Sequence, residues 1–294
     1  MRRAFVALFL ASFASALVAQ VDSGSVRHYF RPNNGGPSLG SADLGGRGDE
    51  IFAGSNLTYH GGPVIISAKV VFLFWGPNFQ NPSSPDYQYA QTLIAFRNQF
   101  GTTGEYNVIT QYYQIVGGVK QFIQQANLGS GTPDWFDTSN PPTNVTDAIV
   151  QGEVNAYLSS HTFDNSTIYE VVIPSTSYSS DQGSTSCGGP ALAYCAYHGY
   201  FNSGSNAVKY SIEPYPSCSG CQVSGWTDVQ NQEHFVCHET REAVTDQQLN
   251  AWYDYFGNEA DDKCAWSPTP FIGTGGYSYQ YEWSNASRSC VKTR

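Results

Sequence analysis

All seven cysteines of this chain fall after residue 186: Cys187, Cys195, Cys218, Cys221, Cys237, Cys264 and Cys290. A crosslink dictates which segments must meet, so this skew constrains the fold more than any propensity does. Whether the thiols pair depends on the compartment. Arg2 and Arg3 precede a sixteen-residue apolar run, Ala4 to Ala19, with small residues at Ala14, Ala16 and Ala19. That layout predicts a signal peptide over residues 1–19 and a secreted, extracellular protein. The run is shorter than the roughly 20 residues of a spanning helix, so no membrane association is expected after cleavage. In an oxidising compartment most cysteines pair. Proximity in sequence suggests Cys187 with Cys195, Cys218 with Cys221 and Cys264 with Cys290, leaving Cys237 single on a helix. A structural zinc site of Cys187, Cys195, Cys218 and Cys221 is the competing arrangement, which export disfavours. Four Asn-x-Ser/Thr sequons, at Asn56, Asn144, Asn165 and Asn285, add the expectation of a glycoprotein.

The chain carries 14 basic and 24 acidic residues. Loss of residues 1–19 removes two arginines and no acid, leaving 12 against 24 and a formal charge of −12. Such a chain repels phosphate backbones and anionic bilayers, so neither nucleic acid nor a membrane is expected as partner. Residues 20–58 read as an irregular N-terminal extension, with Gly/Pro/Asn clusters at Asn33–Pro37 and Gly45–Gly48. Residues 59–294 read as one globular domain with a disulfide-rich C-terminal half. Within it, Pro63–Trp75, Ile168–Pro174 and Ala207–Pro214 read as strands. Pro85–Phe100 and Asn144–Ser159 read as helices, Val108–Gln114 as a short helix or strand, and Asp134–Pro142 as a loop. Strands interspersed with helices predict an α/β or α+β domain with a mixed sheet.

The chemistry concentrates between Trp226 and Asp246. Thr227 with Gln230 forms a capping-box pattern that starts a helix. At about 100° per residue, Val229, Val236, Cys237, Ala243 and Val244 make a core-facing stripe. His234, His238 and Glu242 follow at i, i+4 and i+8 on the opposite side. His238-Glu239-Thr240-Arg241-Glu242 is an HExxE motif. In the HExxH motif of metallopeptidases the first and fifth positions ligate zinc and the second is the general base. A carboxylate also ligates zinc, so His238 and Glu242 are predicted ligands and Glu239 the base. Glu259, with sixteen residues between it and Glu242, is the expected third ligand, as in thermolysin-like enzymes, with Asp262 one turn further on. Zn2+ is the expected ion, another divalent metal the alternative. The other reading of this helix is a solvated face with an Arg241 ion pair.

Several segments occur together in an order that resembles secreted microbial proteins related to the plant EXORDIUM, or phosphate-induced, family. They are Tyr59-His60-Gly61-Gly62-Pro63, the strand ending Phe72-Leu73-Phe74-Trp75-Gly76-Pro77, Cys195-Ala-Tyr-His198, the HExxE run with Thr245-Asp246, and Gly257-Asn-Glu259-Ala-Asp-Asp262-Lys-Cys264. His238, Glu239, Glu242, Thr245, Asp246, Trp252, Glu259, Asp262 and Cys264 match the microbial signature. Cys237 stands where Ser is usual and Gln247 where Pro is usual, and neither departure removes a predicted ligand. The resemblance implies a zincin-like domain around a metal helix. The plant branch lacks the His-Glu pair and is discussed as extracellular growth signalling, so the family name alone does not imply catalysis.

Further candidates follow from position. His60 lies in a Gly-flanked turn where it lines a cleft or merely shapes the turn. His198 is a candidate further ligand or a loop histidine, and His234 lies one turn before His238. Asp246 is a partner for His238 or a helix-end residue. The functional expectation is a secreted zinc metallopeptidase acting on a peptide or protein. The alternative is a non-catalytic EXORDIUM-like signalling or cell-wall protein that contacts extracellular glycan, through aromatics such as Tyr277–Trp283. A glycosidase using Glu239 and Glu242 ranks last, because two carboxylates one helical turn apart leave little room for a sugar.

Overall fold

The computed structural model describes the backbone of Val26–Phe30, and residues 55–294 apart from residue 132. The signal-peptide expectation for residues 1–19 lies outside the described residues. The centre is a six-stranded mixed sheet. Its strands are β1 (Val26–Phe30), β2 (Lys69–Trp75), β3 (Trp135–Asp137), β4 (Thr167–Ile173), β5 (Tyr194–Ser203) and β6 (Asn206–Pro214), in the spatial order β1-β5-β6-β4-β2-β3. β6, β4, β2 and β3 pair in parallel. β5 runs antiparallel to both β6 and β1. The domain is therefore α+β with a mixed sheet.

Helices cover both faces. α2 (Asp147–Leu158) lays Val150, Val154 and Tyr157 on a layer that includes Val71, Leu73, Tyr169, Val171 and Ile212. On the other face, α1 (Pro85–Phe100) and α3 (Asp228–Thr245) pack Leu93, Phe96, Val236 and Val244 against Phe72, Phe74, Ile168 and Val172. The alternation along β2 and β4 is that of strands buried on both sides, which explains their unbroken apolar reading. Ser84 caps α1, its hydroxyl accepting from Asp86 N at 3.2 Å. Thr227 and Gln230 form the capping box that starts α3.

The differences from sequence have local causes. The β2 strand begins only at Lys69; in the preceding stretch Ile65 N donates to Val244 O at 2.9 Å, tying this segment to the end of α3. The loop expected over Asp134–Pro142 contains β3 instead. Arg97 holds Asp134 through two 2.7 Å hydrogen bonds, and Asp134 accepts from Phe72 N at 2.9 Å, drawing the chain onto the sheet edge. Val108–Gln111 is a 3-10 turn that leads into a strand, Tyr113–Val116. The extension expected to be irregular contributes β1 to the main sheet.

The disulfides are Cys187–Cys218, Cys195–Cys221 and Cys264–Cys290, with Cys237 free and buried. The first two correct the pairing by proximity. Cys187 and Cys195 precede or open β5, Cys218 and Cys221 follow β6, and the antiparallel hairpin brings those ends together. The same pairing consumes the four cysteines of the competing zinc site. No helix among the described residues is long and apolar enough to cross a membrane.

Candidate metal centre

The site forms where α3 crosses the polar end of the sheet. In register across the sheet stand Arg27 of β1, His198 of β5, Ser211 of β6, Glu170 of β4 and Phe72 of β2. Directly paired residues share a face. That of His198, Ser211 and Glu170 is the α3 face, because Tyr169, Tyr197, Tyr210 and Ile212 face α2. The sheet thus offers α3 polar groups beside its apolar core. Thr240 Oγ1 donates to Glu170 Oε1 at 2.7 Å, and Gln232 Nε2 donates to Glu213 Oε2 at 2.7 Å. This pairing explains why α3 is buried all round from Asn231 to Thr245 rather than exposing one face. The solvated-face reading of the HExxE helix is therefore wrong. Arg241 is itself fully buried, held by Asp261 and Glu282, whose charges outweigh the cost of burial.

His238 and Glu242 stand one turn apart, with His238 Nε2 3.2 Å from Glu242 Oε2. From the sheet, His198 Nε2 approaches the same Glu242 oxygen at 3.4 Å. Ligand atoms on a tetrahedral ion with bonds of roughly 2.0–2.1 Å lie roughly 3.3–3.4 Å apart. Both contacts lie near that length, and Glu242 belongs to two groups whose donor atoms lie within 4.8 Å of one another, His198 with Glu239 and Glu242, and His238 with Glu242 and Asp262. Glu259 Oε2 lies 3.2 Å from His198 Nε2, and Asp262 Oδ1 lies 3.8 Å from His238 Nε2. Glu239 brings a carboxylate oxygen within 4.8 Å of the donor atoms of His198 and Glu242. His198, His238, Glu239, Glu242 and Glu259 are each no more than 1% exposed, whereas the Asp262 side chain is 23% exposed. Solvent therefore meets the cluster on the Asp262 side.

The electrostatics favour a cation. Four carboxylates, Glu239, Glu242, Glu259 and Asp262, meet two imidazoles. Burial alone pushes Glu242 up, but His238 and His198 outweigh it and hold the carboxyl well below its usual range. Burial opposes the charged form of His238, and Glu242 with Asp261 and Asp262 nonetheless raises it. Glu239 moves the other way: burial first, then the charges of Glu213, Glu242, Asp262 and Glu259, push it well above the carboxylate range. Neither Glu239 oxygen has a hydrogen-bond partner among the described residues. A buried carboxylate without a donor is costly unless a cation or water meets it. The imidazole and carboxylate donors gathered here are of the kind that a divalent cation takes.

Gln280 is a site residue that the sequence did not single out. Its Nε2 donates to Asp261 O at 2.8 Å, which turns Oε1 toward His238 Nδ1 at 3.3 Å. His238 Nδ1–H thus donates to the amide, which leaves Nε2 as the nitrogen on the Glu242 side. This is the orienting contact that ligating histidines use.

The remaining candidates differ in their partners. Glu259, expected beside His238 and Glu242, has its carboxylate against His198, and Asp262 has the contact with His238. Asp262 Oδ2 also accepts from Glu259 N at 3.3 Å, and Glu242 Oε1 accepts from Asp262 N at 2.9 Å, which ties this turn to α3. Asp246 accepts from Asn250 N and Ala251 N, both at 2.5 Å, and so organises the turn after α3. His234 is buried against Trp226, Phe235 and Trp266, and burial holds its pKa well below the usual value. His60 stacks on Tyr253 with ring centroids 3.6 Å apart. In the Tyr277–Trp283 cluster, Tyr279 and Trp283 are buried, so those two rings serve packing and not a sugar face. Comparison with protein-family models, with curated proteins and with solved structures returns no match to this chain.

Proposed function

We propose that the chain is a secreted, zinc-dependent hydrolase of zincin type that cleaves a peptide or similar amide, related to the microbial EXORDIUM-like proteins. The observation that carries this reading is the approach of His198 and His238 to one oxygen of Glu242 at 3.4 and 3.2 Å, with unpartnered Glu239 beside them. His198, His238 and Glu242 would hold the ion as a two-histidine, one-glutamate set. Glu259 and Asp262 flank it, the former against His198, the latter toward solvent. A metal bound there would supply Lewis-acid polarisation of the substrate carbonyl and a lowered pKa for water. Glu239 takes a proton from the attacking water as its oxygen bonds to the carbonyl carbon. It then delivers that proton to the leaving nitrogen as the C–N bond breaks, so the carboxylate is regenerated. Gln280 keeps His238 in the tautomer that presents Nε2. Three disulfides agree with export to an oxidising compartment.

Two measurements test this. Elemental analysis of the purified mature protein should find about one zinc, or another divalent ion, per chain. Glu239→Gln should keep the metal and the fold yet lose roughly 100-fold or more of hydrolysis on a peptide library, the usual scale for a general base. Equal turnover in both proteins removes Glu239 from the mechanism. A metal-free protein speaks for the non-catalytic signalling or wall-associated alternative.

A further inference from the structure

Among the described residues, β1 is the outermost strand of the main sheet on the His198 side, and it pairs with β5 alone. Its register is Val26 with Gly199, Arg27 with His198, His28 with Tyr197 and Tyr29 with Ala196, ending in an irregularity before Phe30. Cα atoms paired across antiparallel strands lie about 5 Å apart. The backbone around Arg27 therefore passes beside the strand position that supplies a predicted metal ligand. α3 runs beside β1 as well as β5. Without β1, the outer N–H and C=O groups of β5 would form an open edge, which is what an extended peptide pairs with.

The connection of β1 to the domain differs from those of the other strands. β5 and β6 form a hairpin, and their flanks are tied by two disulfides. β1 is joined through residues 31–54, which are rich in Gly, Asn and Pro and contain no cysteine. Backbone pairing to β5 is thus its described link to the sheet. Covalent attachment within one chain favours the strand over a free peptide for the same edge.

We propose that the outer edge of β5 is the binding edge for an extended peptide running antiparallel to it, and that Val26–Phe30 occupies this edge in cis. The occupant holds the substrate's place until the N-terminal segment is cut or displaced. The inference rests on the hydrolase reading for its catalytic consequence, but the binding edge is tested without turnover.

The test uses the full mature chain with a protease recognition sequence inserted between Gly46 and Arg47, cut after purification. The probe is a fluorescent peptide of residues 24–32. Uncut protein should not bind it at micromolar concentrations. Cut protein, freed of its N-terminal fragment by dilution and gel filtration, should bind it at least 10-fold more tightly. The β5 amides should lose hydrogen-exchange protection when the fragment leaves and regain it with the peptide. Equal binding before and after cutting, or β5 amides still protected once the fragment is gone, overturns the proposal. A fragment that stays bound at nanomolar protein also overturns it, because the strand is then no exchangeable occupant. Arg27→Pro with His28→Pro gives the same comparison without cutting, since successive strand N–H groups point to opposite sides and one proline must remove a donor to β5. Metal content and hydrolysis are read separately. Peptide binding without turnover leaves the binding edge standing and removes the hydrolase reading.

Discussion

His198 Nε2 and Glu242 Oε2 meet at 3.4 Å although one side chain rises from a strand and the other descends from a helix. His238 reaches the same oxygen from within α3 at 3.2 Å. Glu242 is thus the hinge of the cluster, touched by a donor from each layer.

This contact separates two histidines that look alike in sequence. His198→Ala should lower zinc affinity by roughly 100-fold or more, since a catalytic site normally needs three protein ligands. His234→Ala should leave metal content unchanged while costing about 2–4 kcal/mol of stability, the scale for emptying a packed aromatic pocket. Competition with a chromophoric chelator and urea unfolding read the two effects. Metal lost in the His234 variant but kept in the His198 variant would reverse the assignment.

Gln280 offers a subtler probe. Gln280→Leu removes the acceptor for His238 Nδ1–H without touching a ligand, so zinc affinity should fall about 10- to 100-fold. Zinc titration against a competing chelator measures this. Unchanged affinity would mean that Gln280 does not set the histidine's orientation.

Stability should respond to pH at a place remote from the candidate metal centre. Burial, with the neighbouring Asp137 carboxyl, raises Glu153 from 4.5 to about 8. Below pH 4.5 the folded and unfolded chains both hold this proton and its contribution is intact. As pH rises toward 8 the unfolded chain releases the proton first, so stability is lost across that window and levels off above it. Glu153→Gln should match the wild type near pH 4.5 and exceed it by about 1–2 kcal/mol at pH 9, well below the full linkage value because the pair lies near solvent. Urea unfolding at several pH values, compared between the two proteins, decides. A difference that does not change with pH counts against the assignment.

Thiol chemistry should reflect the crossed pairing. Denatured, unreduced protein should show about one thiol per chain, from Cys237, whose sulfur burial raises to about 12 in the native state. Peptide mapping should recover Cys187 with Cys218 and Cys195 with Cys221. Peptides joining Cys187 to Cys195 would contradict the hairpin geometry.

Much of this was legible in residue order. The capping box at Thr227 and Gln230 marks the start of α3, and the β-branched runs mark β2, β4 and β6, because those signals are local. The i, i+4 spacing of His238 and Glu242 was equally readable, since a helix fixes it. Other features depend on partners distant in sequence. β3 is a strand because Arg97 pins Asp134, and no propensity in Trp135–Asp137 announces that. His198 sits in a Cys- and Gly-rich segment that reads as a loop, and its position on a ten-residue strand emerges only from pairing with β6. Gln280 was hidden because an amide has no motif; its importance comes from Asp261, which orients it. Burial of the polar side of α3 was unreadable for the same reason: it takes Glu170 and Glu213 from two other strands to make that face habitable.

The interleaved bonds Cys187–Cys218 and Cys195–Cys221 close spans of 31 and 26 residues around the β5–β6 hairpin. Loops of this size each withhold about 3.5 kcal/mol of chain entropy from the unfolded state. A chain melted without reductant therefore keeps the two arms of the His198 hairpin lashed together. On cooling, it does not have to search for that alignment again. Pairing by proximity would have remembered only two small loops and nothing of the histidine's neighbours. The crossed staples make recovery from heat a property inherited through covalent memory, one that a single dose of reductant erases.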